Sequence, residues 1–155
     1  MKIHKFIGRT LKYGTLLSTW GLIATVLLQV ICRFSWVDTP SWTEEASRIL
    51  FIYAMSFAAG LAMKSSYYVH LEMFYNRFNQ RIKRLLDLLI PWVSLILFVT
   101  MAYFSVKLVL LGIPEKSPSI RINMGFVFIS MLVLSSSICY YLWIEIRGNS
   151  KKPKA

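Results

Sequence analysis

The chain has 155 residues, 56% hydrophobic and 15% aromatic, and its 18 lysines and arginines against seven acids give a formal net charge of +11. A soluble domain of this length does not carry so large an apolar share. The positive charge raises nucleic-acid binding as a function, but the basic residues alternate with long uncharged runs, and no nucleic-acid partner is expected.

Residues 13–32, 49–63, 88–106 and 122–144 contain no Asp, Glu, Lys or Arg, and these runs hold 20, 15, 19 and 23 residues. About 20 apolar residues cross a bilayer as a helix. The pattern therefore predicts an all-α integral membrane protein, one domain over residues 1–155 with four transmembrane helices. The first span, 13–32, follows Lys2, Lys5, Arg9 and Lys12. A basic start also suits a secretory signal, but no small-x-small cleavage site follows. Ile31 stands where a lipoprotein site at Cys32 needs a small residue, so the span is expected to be retained.

The second uncharged run is short, rising about 22 Å against a hydrocarbon core of about 30 Å. It is expected to extend back through Pro40, which suits a first helical turn, with Thr39 or Ser41 as cap. The span is then 40–64. Ala54, Ala58 and Ala62 recur four apart in it, with Ser56 and Gly60 beside them. Such spacing lets another helix approach closely, either within the bundle or from another membrane protein.

Residues 71–85 are amphipathic. Leu71, Phe74, Tyr75, Phe78, Ile82 and Leu85 share one face. The segment is expected to lie in the interface, with Arg77, Arg81, Lys83 and Arg84 on anionic lipid headgroups. The third span is 88–106, with Pro91 in its first turn. Gly112, Pro114 and Pro118 break the loop that follows, the fourth span is 122–144, and the tail 147–155 is expected to be disordered.

The N-terminal segment, the segment around residues 64–84 and the tail hold 13 of the 18 basic residues. This distribution places both termini and the middle loop in the cytoplasm, an N-in/C-in topology. Trp36 and Trp42 then mark the outer interface, and Tyr67, Tyr68, Trp92, Tyr140, Tyr141 and Trp143 the inner one. Cys32 and Cys139 fall near opposite membrane surfaces, too far apart for a disulfide, and are expected to be free thiols.

Much of the functional argument rests on what is missing. Ion-coupled carriers and pumps place ionisable groups within their spans, and the four uncharged runs lack histidine as well. A four-span multidrug exporter would need an acid in the membrane core. Haem ligation would need histidines in the spans, whereas His4 and His70 lie outside them. A disulfide oxidase would need paired cysteines, and no phosphate-loop, zinc or nucleophile motif occurs. No catalytic, cofactor or metal site is expected, and the chain is not expected to be an enzyme. Glu44 and Glu45 point about 100° apart on a helix, so they are no facing carboxylate pair. Glu44 precedes Arg48 by four residues, the favourable ion-pair spacing, and acids in a first turn complement the helix dipole. An interface role at the outer surface is the other reading. A membrane protein without a site of its own is usually a subunit.

Several residues resemble the small membrane subunit of the tripartite ATP-independent periplasmic (TRAP) transporters. They are Arg33 at the outer end of span one, then Trp42, Glu44 and Glu45, and Arg48 a turn later. The small-rich second span ends at Lys64, and His70 and Glu72 follow. The family often has aspartate at the last position and a glycine-containing turn before the histidine, where this chain reads SSYYVH. The four-span layout matches over essentially the whole chain. The resemblance implies sodium-driven import of small organic acids of the dicarboxylate, keto acid or sialic acid type. A periplasmic substrate-binding protein would capture the substrate, and a large multi-span permease subunit would carry the substrate and sodium sites and move them by an elevator motion. The small subunit would widen the static scaffold in the bacterial inner membrane and hold no substrate itself. Arg33, Trp42, Glu44, Glu45, Arg48 and His70 are then the candidate interface or structural motif, and Ala54, Ala58, Gly60 and Ala62 the candidate packing residues. The alternative is an accessory or assembly subunit of another inner-membrane complex with the same topology.

Overall fold

The computed structural model describes the backbone of residues 2–35, 38–64 and 80–149. These residues form four helices: α1 Lys2–Phe34, α2 Ser41–Lys64, α3 Gln80–Gly112 and α4 Met124–Asn149. Each contains a stretch long and apolar enough to cross a membrane: Phe6–Phe34, Ser41–Met63, Leu89–Gly112 and Met124–Arg147. The only extended pairing among the described residues is an isolated antiparallel bridge between Lys116 and Asn123. The protein is an all-α membrane protein, as the four uncharged runs predict.

The helices outrun the uncharged stretches that predict them. Lysine and arginine are good helix formers, so the basic N-terminal segment continues α1 outward instead of ending it. Residues 80–85, expected in a separate interfacial helix, are the first turns of α3. Pro91 accordingly lies well inside α3 and not in a first turn; it is buried. At the other end α3 runs past Val106 and Lys107 to Gly112, and Pro114 stops it by disfavouring helical geometry at the residue before it. Helix α4 continues through Arg147 to Asn149, further than a tail beginning at residue 147 allows. The rest of the expected interfacial segment (71–79 with Arg77), His70, Trp36 and the tail 150–155 lie outside the described residues, as do the side chains of Lys64, Arg81, Lys83 and Arg84.

The main helix contacts run in the order α1, α2, α4, α3. Helices α2 and α4 are thus internal to the row, and α1 and α3 flank it. Closeness is set by small residues. A Cβ on Gly60 of α2 would stand 2.8 Å from Ser137 Cβ of α4 and 3.2 Å from Leu11 Cδ1 of α1, so three helices converge there. A Cβ on Gly112 would stand 2.7 Å from the Gly125 backbone nitrogen and 2.7 Å from the Phe128 ring, so the end of α3 meets the start of α4 almost backbone to backbone. The expected alanine stripe divides: Ala54 is buried, Ala58 half-buried and Ala62 exposed.

Four buried serine hydroxyls bond within their own helices. Ser56 donates to Ile52 O at 2.8 Å, Ser105 to Met101 O at 2.8 Å, Ser130 to Val127 O at 2.6 Å and Ser135 to Met131 O at 2.8 Å. In hydrocarbon such back-bonding within the helix removes the cost of an unpaired polar group. Large apolar side chains point outward instead, among them Leu17, Trp20, Val93, Ile96 and Leu111. Both cysteine thiols are free.

Candidate functional site

The first turn of α2 begins after Pro40. The Pro40 carbonyl accepts from the Thr43 N–H at 3.0 Å and from the Thr43 hydroxyl at 2.8 Å. Thr43 is 1% exposed, and this buried cap fixes the rotation of the turn. Trp42 and Glu44 then face outward, while Glu45 is half-buried.

The Glu45 carboxylate is held by the loop between α3 and α4. The Ser117 hydroxyl donates to Oε1. The backbone N–H groups of Ser119 and Ile120 donate to Oε2 at 3.0 and 2.9 Å. Charge-assisted bonds of this kind are about twice as strong as neutral ones. Ser117 is 2% exposed, so the contact closes over its hydroxyl.

The loop is shaped to receive a carboxylate. The Ser117 N–H donates to Ile122 O at 2.9 Å and the Arg121 N–H to Ser117 O at 3.1 Å. Arg121 takes φ of 57°, a left-handed conformation uncommon for a residue with a Cβ. The Lys116–Asn123 bridge and the Met124 N–H donating to Glu115 O at 2.9 Å close the base of the loop. Pro118 has no N–H, so Ser119 and Ile120 supply the donors, and consecutive N–H groups turned to one side form an anion-binding concavity.

A second tie lies further along α2. The Tyr53 hydroxyl donates to Phe126 O, in the first turn of α4, at 2.6 Å, and the two rings lie 5.5 Å apart at 43°. Glu45 and Tyr53 are eight residues apart, about 12 Å of helix rise. Together they hold the α3–α4 hairpin against α2 at two levels.

The residues named from sequence therefore have different situations. Glu45 meets Ser117 of the α3–α4 loop, whereas Trp42, Glu44, Arg48 and Arg33 stay exposed. Among the described residues no ion pair joins Glu44 or Glu45 to Arg48 or Arg33. An exposed pair at that spacing gains only about 0.3–0.5 kcal/mol against the entropy of two long side chains. The Glu45–loop contact, over 72 to 75 residues of sequence, could not be found from helical spacing. The signal that could have pointed toward it is the pair of serines flanking Pro118, Ser117 and Ser119, in the loop between the last two spans.

Chemically, this arrangement joins elements. The Glu45 carboxylate already has three donors from its own chain, and among the described residues no group of three His, Cys, Asp or Glu side chains is placed to hold a metal ion.

Comparison with known proteins agrees with this picture. Residues 22–151 match the family model described as tripartite ATP-independent periplasmic transporters, DctQ component. A protein of Haemophilus influenzae described as a TRAP transporter small permease protein is 23% identical over 141 residues, covering 91% of this chain and 84% of that protein. The family is a multi-pass inner-membrane transporter subunit, not an enzyme family, and its tripartite organisation implies a large permease subunit and a periplasmic binding protein as partners. Four membrane-length helices, an internal carboxylate tie and a family match over most of the sequence lead to one assignment: the chain belongs to the DctQ family of small TRAP transporter permease subunits.

Proposed function

We propose that this chain is the static small permease subunit of a sodium-coupled, binding-protein-dependent importer of small organic acids, and that it carries no substrate or sodium site. The observation that carries this division of labour is the emptiness of the spans. The runs 13–32, 49–63, 88–106 and 122–144 lack Asp, Glu, Lys, Arg and His, and Glu45, at the start of α2, is engaged by its own chain. Ion-coupled carriers place ionisable groups within their spans, and here the large subunit would have to supply them.

The proposed orientation puts both termini in the cytoplasm. In the sequence, residues 1–12, 64–87 and 145–155 hold thirteen basic and three acidic residues, and the two intervening charged segments, 33–48 and 107–121, hold five basic and four acidic. The first set is cytoplasmic under the positive-inside rule, with Arg77, Arg81, Lys83 and Arg84 near anionic headgroups. The Glu45 tie then lies at the periplasmic surface and stiffens the edge that meets the two partners.

The test is uptake of labelled dicarboxylate, keto acid and sialic acid into proteoliposomes, with and without a sodium gradient, omitting each of the three proteins in turn. Uptake of one of these acids that needs sodium and all three proteins supports the proposal. Uptake by this chain alone, or equal uptake without it, overturns it.

A further inference from the structure

Among the described residues of α3, one charged side chain faces outward in the middle of apolar ones. Lys107 lies five residues before the end of α3 at Gly112 and is exposed, with Val106, Leu108, Leu110 and Leu111 around it exposed as well. Its Nζ folds back over the Tyr103 ring, 4.9 Å from the centroid, and lies 5.9 Å from that of Phe104. Among the described residues no acid pairs with it. A cation at the edge of the hydrocarbon is costly unless it reaches water or an anion, and aromatic faces compensate only in part.

Beside this lysine an open groove runs along the α3–α4 seam. It has a volume of about 400 Å³ and is lined by Leu97, Thr100, Met101, Phe104, Ser105, Leu108 and Met131. From Leu97 to Leu108 the helix rises about 16 Å, close to the depth of one leaflet, half of a hydrocarbon core of about 30 Å. Phe104 belongs to both features: it lines the groove and lies under Lys107. Thr100, Phe104 and Lys107 follow each other by four and three residues and so share one side of α3. The groove therefore has a lipid tail's length and a cation at the end nearest the membrane surface.

We propose that this groove holds one acyl chain of an anionic phospholipid whose phosphate pairs with Lys107. Two observations favour a lipid over a helix of a partner protein. The groove is one leaflet deep, whereas a packed transmembrane helix would cross both. Its lining is mostly large (Leu97, Met101, Phe104, Leu108 and Met131), where close helix approach calls for small residues. The site uses no residue of the Glu45 tie and does not depend on the transport reading.

The experiment is native mass spectrometry of the full chain in detergent, titrated with phosphatidylglycerol. The wild type is expected to retain one lipid. Lys107→Gln should weaken that adduct about tenfold, the loss of one charge-assisted contact; Lys107→Arg should keep it. Thr100→Phe, which fills the groove without touching the charge, should weaken it too. Inorganic phosphate should not displace it. Unchanged lipid retention in either Lys107→Gln or Thr100→Phe, or displacement by inorganic phosphate, overturns the proposal. A photoreactive benzoylphenylalanine in place of Phe104, an aromatic that already lines the groove, should crosslink to lipid in the assembled transporter; a crosslink to the large permease subunit would overturn the proposal in favour of protein docking.

Discussion

Within the membrane-spanning stretches, 28% of α4 and 17% of α2 are buried, against 6% each of α1 and α3. All four helices are apolar enough to cross a bilayer, so apolarity does not decide which pair lies inside. Lipid tails are as apolar as leucine, and no hydrophobic driving force sorts one helix from another. Small side chains and backbone approach sort them instead. The inner helices bury Ala54, Ser56, Gly60, Ser130, Ser135 and Ser137, while Leu17, Trp20, Val93 and Ile96 of the outer helices face outward.

The sharpest way to break this arrangement is to add volume where the helices converge. A leucine at Gly60 would push against Ser137 of α4 and Leu11 of α1, which a Cβ alone already meets at 2.8 and 3.2 Å. Overpacking of a tight core costs about 1–3 kcal/mol and occasionally more, and three elements would have to move together. Gly60→Leu should lower the thermal unfolding midpoint in detergent most of all the variants considered. A midpoint equal to wild type would mean that α2, α1 and α4 do not converge at Gly60.

Next in size is the tie at the end of the row. Glu45→Ala leaves the Ser117 hydroxyl and two N–H groups without their acceptor, at a cost of about 2 kcal/mol. Hydrogen exchange at Ser119 and Ile120 should accelerate, and the α3–α4 loop should become susceptible to protease. Its neighbour Glu44 makes no such contact, and Glu44→Gln should fall within about 0.5 kcal/mol of wild type. Equal effects at the two positions would return the motif to a general charge role. Tyr53→Phe removes only the bond to Phe126 O and keeps the tilted ring contact, so about 1 kcal/mol is expected in the same unfolding assay.

The contrast between Glu44 and Glu45 shows where sequence reasoning stops. The number of spans was legible because charge is excluded from hydrocarbon, and uncharged length is a direct readout of that cost. The start of α2 at Pro40 and Ser41 was legible because proline suits a helix start for local reasons. Which of two adjacent glutamates is engaged was not, because the donors lie more than 70 residues away and depend on how α4 packs beside α2. Spacing favoured Glu44 with Arg48; the fold instead turned Glu45 into the loop. Pro91 was misplaced for a related reason: span limits drawn at charges hid the continuity of α3 through residues 80–88. Likewise the stripe of Ala54, Ala58 and Ala62 was visible as a pattern, but only Ala54 is buried, since the convergence point falls at Gly60.

The smallest expected effect belongs to the outer helices, and it sharpens the comparison from the other side. Leu17 is 77% exposed, so Leu17→Ala removes few contacts within the chain and should leave its unfolding midpoint within about 0.5 kcal/mol of wild type. In water that exposure would be a liability; in lipid or against a partner helix it is a surface. The two surroundings differ in what truncation does to assembly. If lipid covers this face of α1, Leu17→Ala should co-purify with the large permease subunit as wild type does. If the large subunit covers it, the same variant should keep its own stability and yet lose association, because the contacts removed belong to the complex. Measuring the unfolding midpoint of the isolated chain beside its yield in the complex therefore separates a lipid-facing helix from an interface helix, and repeating the pair with Val93→Ala asks the same of α3.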